Sequence, residues 1–153
     1  MNRYFVIGNP IAHSLSPLIH NYWFKKYKFN SKYEKKNLET NDLNNFVQEI
    51  RNNKMIKGAN VTVPFKNKII PFLDGLSSIS KETFSVNTII KENEKLIGHN
   101  TDATAFHKTL ENISKLTIST LIIGAGGVAP SIIWGIRQLN PKNKIYLLNR
   151  TKE

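Results

Sequence analysis

Cysteine is missing from all 153 residues. That removes a disulfide framework, a thiolate metal site and a cysteine nucleophile at once. Long apolar runs are missing too: stretches such as residues 121–127 fall far short of the roughly 20 residues that a membrane-spanning helix needs. The opening Tyr4-Phe5-Val6-Ile7-Gly8 is cut by Asn9-Pro10, which interrupts any signal-peptide core and makes the cytoplasm the expected location. Acidic residues are few, 11 against 22 Lys and Arg, for a formal charge of +11. Arginine is scarce, with only four in the chain. The lysines are spread through Asn- and Ile-rich segments, and their tightest groups, Lys25-Lys26-Tyr27-Lys28 and residues 32–36, read as solvated faces. That distribution argues against a nucleic-acid partner and suits a small anionic substrate. The four histidines show no metal-ligand spacing, so no metal is expected.

What is present is a globular composition, 40% hydrophobic with eight Phe, five Tyr and two Trp. The length fits one domain, or one domain and part of another. Residues 3–8 read as a buried strand. Pro17 sits near a helix start, and Leu18, Ile19, Tyr22 and Trp23 give a helical stripe over 17–27. A second strand over 31–38 precedes a helix capped at Thr40-Asn41-Asp42, with Leu43, Phe46, Val47 and Ile50 on one face. A third strand over 57–63 stops at Pro64. A helix is expected within 66–73 and another over 80–84, then a hairpin of 86–91 and 95–98 about Glu92-Asn93-Glu94. A helix follows over 101–113, capped by Asn100 or Thr101, with Ala105, Phe106, Leu110 and Ile113 inward. Residues 116–123 read as a strand, 128–139 as a helix and 144–148 as a strand. The expected class is α/β: a substrate domain with a mostly parallel sheet over 1–101, then a Rossmann-like unit over 102–153.

The sharpest motif is Gly124-Ala125-Gly126-Gly127-Val128-Ala129, a G-x-G-x-x-A turn between strand and helix. Glycines there let backbone amides approach a pyrophosphate at the positive end of the helix, and Ala129 allows close packing of helix on strand. After the next strand stands Asn149-Arg150-Thr151 without a carboxylate. An arginine there accommodates a ribose 2′-phosphate, so NADP is favoured over NAD, with a plain surface arginine as the alternative. Two polar clusters lie at the carboxyl ends of earlier strands. Ser14 and Ser16 flank a helix start, where they either grip a carboxylate or cap the helix. Asn60, Thr62 and Lys66 follow from the third strand; a lone lysine is most often a surface residue, and its polar company is what singles Lys66 out.

These stretches together resemble shikimate dehydrogenase: Gly8-Asn9-Pro10-Ile11-Ala12-His13-Ser14-Leu15-Ser16-Pro17, Asn60-Val61-Thr62-Val63-Pro64-Phe65-Lys66, Val86-Asn87-Thr88, Gly98-His99-Asn100-Thr101-Asp102, the glycine turn and Asn149-Arg150-Thr151, in the family's order. The resemblance implies reversible NADPH-dependent reduction of 3-dehydroshikimate to shikimate, a step toward chorismate and the aromatic amino acids. It implies that Ser14, Ser16 and Thr62 hold the substrate carboxylate and that Asn60, Asn87 and Asp102 bind ring hydroxyls. Lys66 and Asp102 are the implied catalytic pair, although a carboxylate at Asp102 also suits a helix N-terminus on dipole grounds alone. Gly124, Ala125, Gly126, Gly127, Val128, Asn149, Arg150 and Thr151 are the implied NADP site.

Phe84-Ser85 stands where the family more often has small residues, and Ala103 and Ala105 where glycines are common. Family members continue beyond the second strand of the cofactor unit and return to the first domain. The sequence therefore reads as an N-terminal part, expected to bind NADP weakly, to turn over negligibly and to associate through an uncovered sheet. A homodimer of a complete protein stays open. The rival readings are a quinate/shikimate dehydrogenase and a non-catalytic ligand-sensing module, the second disfavoured because pure binding needs no proton donor.

Overall fold

The computed structural model describes residues 1–111 and 119–151. Branched and aromatic side chains that fit a pleated strand make β1 (Asn2–Gly8), whose Phe5 and Ile7 face one side of a sheet and Tyr4 and Val6 the other. After it come α1 (Ser16–Lys26), β2 (Ser31–Asn37), a 3-10 turn at Thr40–Asp42, α2 (Leu43–Asn52), β3 (Ile56–Val61), a 3-10 turn at Ile70–Phe72, β4 (Gly75–Leu76), α3 (Ser78–Thr83), β5 (Thr88–Glu92) and β6 (Lys95–His99). The strands form one sheet in the order β2-β1-β3-β5-β6-β4. β1 pairs in parallel with β2 and β3, and β4 with β6; β5 runs antiparallel to β3 and β6. The second unit follows: α4 (Thr101–Glu111), β7 (Thr120–Ile123), α5 (Ala129–Leu139) and β8 (Ile145–Leu148), with β7 parallel to β8.

The main core lies between the sheet and α2. Leu43, Phe46, Val47 and Ile50 turn inward together and meet Phe5, Ile7, Ile56, Ala59 and Val61. Lys91 reaches across to donate to the Ile50 and Arg51 carbonyls at 3.1 and 2.7 Å, occupying acceptors at the helix C-terminus. Arg51 pairs with Asp74 at 2.6 Å and, chiefly through that hydrogen bond, holds its carboxyl below the ordinary carboxylate range. β5 and β6 meet through Asn93-Glu94, both left-handed with φ of 48° and 63°. That is the backbone of a type I′ turn, which favours Asn then Gly. Glu94→Gly is therefore expected to raise stability by about 0.5–1 kcal/mol. A lower urea midpoint for that variant would show that the Lys91–Glu94 ion pair, at 3.4 Å, outweighs the turn.

Several expectations are corrected. The helix expected over 17–27 forms as α1, yet Leu18, Ile19, Tyr22 and Trp23 of its stripe are each between 46% and 73% exposed. α1 docks instead through Asn21, which donates to Tyr33 O and accepts from Tyr33 N at 2.8 Å each, through His20 stacked on Tyr33, and through Phe24 against Tyr4. Asn21 thus satisfies the open side of an edge strand, a task an apolar residue cannot do. The helix expected within 66–73 is only the 3-10 turn, because Pro71 supplies no amide hydrogen. β4 is an addition the sequence did not announce. In α4, Ala105 is exposed, and Ala103 is the fully buried residue. Asn100 rather than Thr101 is the cap, its Oδ1 accepting from Ala103 N at 3.2 Å. Residues 112–118, which include the expected end of that helix at Ile113 and the start of the next strand, and residues 152–153 lie outside the described residues.

Candidate active site

The carboxyl ends of β1 and β3, the loop before α1 and the N-terminus of α4 open onto one cavity of about 340 Å³. Ser14, Ser16, Asn60, Thr62, Lys66, Asn87 and Asp102, all seven substrate-side residues singled out from the sequence, line it. No side chain caps α1 at Leu15; Ser14 Oγ instead accepts from Ser16 N at 3.3 Å and donates to Ser16 Oγ at 3.2 Å. Two hydroxyls and the first turn of a helix therefore face the cavity at one end.

Lys66 is set by its neighbours. Phe65, fully buried, anchors the loop after Pro64, and the Lys66 carbonyl accepts from Val86 N at 2.8 Å. The lysine side chain is only 12% exposed, and its Nζ donates to Asp102 Oδ2 at 2.6 Å. Asp102 Oδ1 accepts from Asn87 Nδ2 at 2.8 Å, so both carboxylate oxygens are held. A cation, an anion and an amide are thereby fixed at the wall of a polar cleft, an arrangement able to stabilise charge that develops on a bound oxygen and to give it a proton. His13 and His20 also line the cavity. Burial lowers the pKa of His20 below that of an ordinary imidazole.

The glycine turn stands beside this cleft. Gly124 adopts φ of 104°, a conformation that favours glycine, and its amide donates to Leu148 O at 2.7 Å. Asn149 Oδ1 accepts from Ala125 N at 3.4 Å and its Nδ2 donates to Thr151 O at 2.9 Å, tying the end of β8 to the turn. Val128 precedes α5, and Ile123, Gly124, Leu148, Asn149 and Arg150 line an open groove of about 570 Å³. The turn also touches the first unit. Ser85 Oγ donates to Gly127 O at 3.0 Å, and a Cβ on Gly127 would lie 3.7 Å from the Lys66 stem. Asn100, buried, donates to Thr83 Oγ1 and Ser131 Oγ at 2.8 Å each. Ser85 was visible in the sequence only as a departure from small residues; this bond is its place in the structure. Phe84 beside it is left-handed at φ 47° and 64% exposed.

Residues 6–89, more than half of the chain, match the family model described as the shikimate dehydrogenase substrate binding domain. The chain belongs to that family. It is 50% identical to the shikimate dehydrogenase (NADP(+)) of Pelagibacter ubique, over 97% of this chain and 56% of the relative. The enzyme of the same name from Bacillus subtilis is 42% identical, over 98% of this chain and 54% of its own. Among solved structures, the shikimate dehydrogenase of Aquifex aeolicus superposes with a TM-score of 0.88 at 37% identity, covering 100% of this chain and 57% of that one. The Thermus thermophilus enzyme in complex with shikimate gives 0.87 at 30% identity, covering 99% and 57%. The chain thus spans a little over half the length of these relatives. The shikimate dehydrogenase family match takes in Ser14 through Asn87, whereas Asp102 and the glycine turn lie beyond it, in the stretch that the longer alignments to the relatives include. The mostly parallel α/β sheet expected from the strand and helix order is the architecture these neighbours share.

Proposed function

We propose that this chain carries the substrate site and the opening part of the cofactor site of an NADP-dependent shikimate dehydrogenase, which interconverts 3-dehydroshikimate and shikimate on the route to chorismate. The observation that carries the proposal is the 2.6 Å pair of Lys66 and Asp102 in a cavity that also presents Ser14, Ser16, Thr62, Asn60 and Asn87. In this reading Ser14, Ser16 and Thr62 hold the substrate carboxylate, while Asn60, Asn87 and Asp102 meet the ring hydroxyls. Lys66 Nζ holds the proton that the C3 oxygen takes up as it becomes a hydroxyl, and Asp102 keeps that ammonium charged and aimed. The catalytic domain would run to residue 101, with the cofactor unit beyond it.

The open space at the glycine turn supports a dinucleotide there: a Cβ at Gly124 or Gly126 would meet nothing within 4 Å, which leaves room for an anion at the start of α5. NADPH supplies a hydride when bound. Gly124, Ala125, Gly126, Gly127 and Val128 would hold its pyrophosphate, with Asn149, Arg150 and Thr151 at the ribose 2′-phosphate. Arg150→Ala is expected to weaken NADP by about 10- to 100-fold and NAD by less than about twofold, since a charge-assisted contact to a phosphate is lost only in the first case. Equal losses in a titration with both dinucleotides would remove Arg150 from that part.

No helix among the described residues is long and apolar enough to cross a membrane, and none of their His, Asp and Glu residues cluster as a metal site. The proposal includes a cytoplasmic location and small molecules as partners. The deciding experiment is NADP reduction with shikimate, and then with quinate, by this chain and by one of its relatives' full length. Turnover by the long form that requires shikimate supports the reading; equal turnover of quinate would move it to a quinate/shikimate dehydrogenase, and no turnover with intact shikimate binding to a sensing module. Sedimentation of the long form decides between a monomer and a homodimer.

A further inference from the structure

Asn60 lies on β3 and bonds to side chains of two other strands that the sequence does not connect with it, Thr88 on the neighbouring β5 and Tyr33 on β2, which reaches it across β1. Tyr33 of β2, itself buried, donates its hydroxyl to Asn60 Oδ1 at 2.5 Å. Thr88 of β5 lies directly opposite Asn60 in the antiparallel pairing, and Asn60 Nδ2 donates to Thr88 Oγ1 at 3.1 Å and to the Asn87 carbonyl at 3.3 Å. A backbone carbonyl can only accept, so the amide nitrogen must face Asn87 O and the amide oxygen must face Tyr33.

Asn87 is fixed by the same reasoning. The Thr101 amide can only donate and meets Asn87 Oδ1 at 2.9 Å, while Asn87 Nδ2 donates to Thr101 Oγ1 and Asp102 Oδ1 at 2.8 Å each. The Thr88 hydroxyl accepts from Asn60 and donates to Asn87 Oδ1 at 3.0 Å, which joins the two amides. Donors therefore run one way, from Tyr33 through Asn60, Thr88 and Asn87 to the carboxylate that holds Lys66, and such chains strengthen their own polarity. Burial also raises the Tyr33 pKa well above that of an ordinary phenol, which keeps its hydroxyl a donor.

We infer that Tyr33 and Thr88 are positioning residues that, together with the Asn87 carbonyl, hold Asn60 so that it offers the cavity an acceptor. Both N–H groups of Asn60 are spent inside the protein, and its Oδ1 keeps one lone pair after Tyr33. The wall at Asn60 thus selects a ligand group that donates, a hydroxyl, over one of equal size that only accepts. Asn87, which also lines the cavity, joins this chain to the carboxylate by donating from Nδ2 to Asp102 Oδ1. This rests on the reading of the cavity as a shikimate site, and it adds which hydrogen-bonding sense Asn60 selects and which side chains impose it.

The test uses the full chain and compares dissociation constants for shikimate and for its C4-fluoro and C5-fluoro analogues, where fluorine replaces a hydroxyl at nearly equal size without a proton to give. The unchanged chain is expected to favour the hydroxyl by about tenfold or more at the position that meets Asn60. In the Tyr33→Phe/Thr88→Val double variant that preference should shrink by about tenfold, because the amide loses two of the partners that fix its sense; Thr88→Ser should keep it. A merely structural loss would weaken shikimate and the fluoro analogues alike and leave the ratio unchanged, which overturns the inference. A second measurement needs no ligand: exchange of the Asn60 side-chain amide protons with water should accelerate about tenfold or more in Thr88→Val and stay slow in Thr88→Ser. Unchanged exchange in Thr88→Val overturns the positioning role, whereas accelerated exchange without any binding of shikimate to the unchanged chain sinks the substrate reading alone.

Discussion

Lys66→Ala, made in this sequence extended to its relatives' length, is expected to lower kcat for shikimate oxidation by about 10²–10³ while moving KM by less than about tenfold. The reason is differential: the ammonium meets a neutral hydroxyl in the ground state and an oxygen acquiring charge in the transition state, so most of its interaction is realised only there. The side chain is nearly buried and bonded to Asp102, so its removal also leaves a carboxylate without its cation. For that reason Lys66→Met, which keeps the packing of the stem, belongs beside it. Both variants should retain shikimate binding and lose turnover. A kcat within about twofold of the parent in either would place the proton donor elsewhere.

The second large effect concerns the state of the chain in solution. Leu121, Ile123, Tyr146 and Leu148 are each between 56% and 78% exposed, and the β7–β8 register sets Leu121 opposite Tyr146 and Ile123 opposite Leu148. Four large apolar side chains on one face of a two-stranded parallel sheet form a contiguous patch, and parallel pairs rarely leave a face open to water. The 153-residue chain is expected to self-associate as its concentration rises, with the average mass by sedimentation climbing well above that of a single chain. Leu121→Glu with Tyr146→Lys substitutes a cross-strand ion pair for the apolar contact and should hold the chain monomeric at about tenfold higher concentration. Association unchanged by that pair of substitutions would place the contact elsewhere, the exposed side of α1 being the next surface to alter.

The order of strands and helices could be read from the sequence because periodicity and turn residues are local: Leu43, Phe46, Val47 and Ile50 announce one buried face, and Asn9-Pro10 and Pro64 end their strands. Ser14, Ser16, Asn60, Thr62 and Lys66 could be picked out because they sit in short polar runs after strands, whereas Asn87 and Asp102 were named through the family resemblance. What the sequence withheld was long-range. The stripe Leu18, Ile19, Tyr22 and Trp23 shows that α1 has an apolar side, and says nothing about which side meets the sheet; that was settled by Asn21 finding an open strand edge. Tyr33 and Thr88 looked like ordinary strand residues, since their meaning depends on β2, β3 and β5 coming into register across residues 31–92. β4 is two residues long and carries no period to detect.

The contact of the glycine turn with the lysine stem has a thermodynamic corollary. Gly127 is tied by its carbonyl to Ser85 and lies against Lys66, whose carbonyl in turn holds Val86, so the turn and the lysine proposed as proton donor share one short stretch of wall. A ligand at the turn that shifted this stretch would shift the lysine stem packed against it. Reciprocity then fixes the bookkeeping: the factor by which a dinucleotide alters the affinity for a ring acid equals the factor by which the ring acid alters the affinity for the dinucleotide. For the two ligands proposed here, the order in which they arrive would change the path without changing the total.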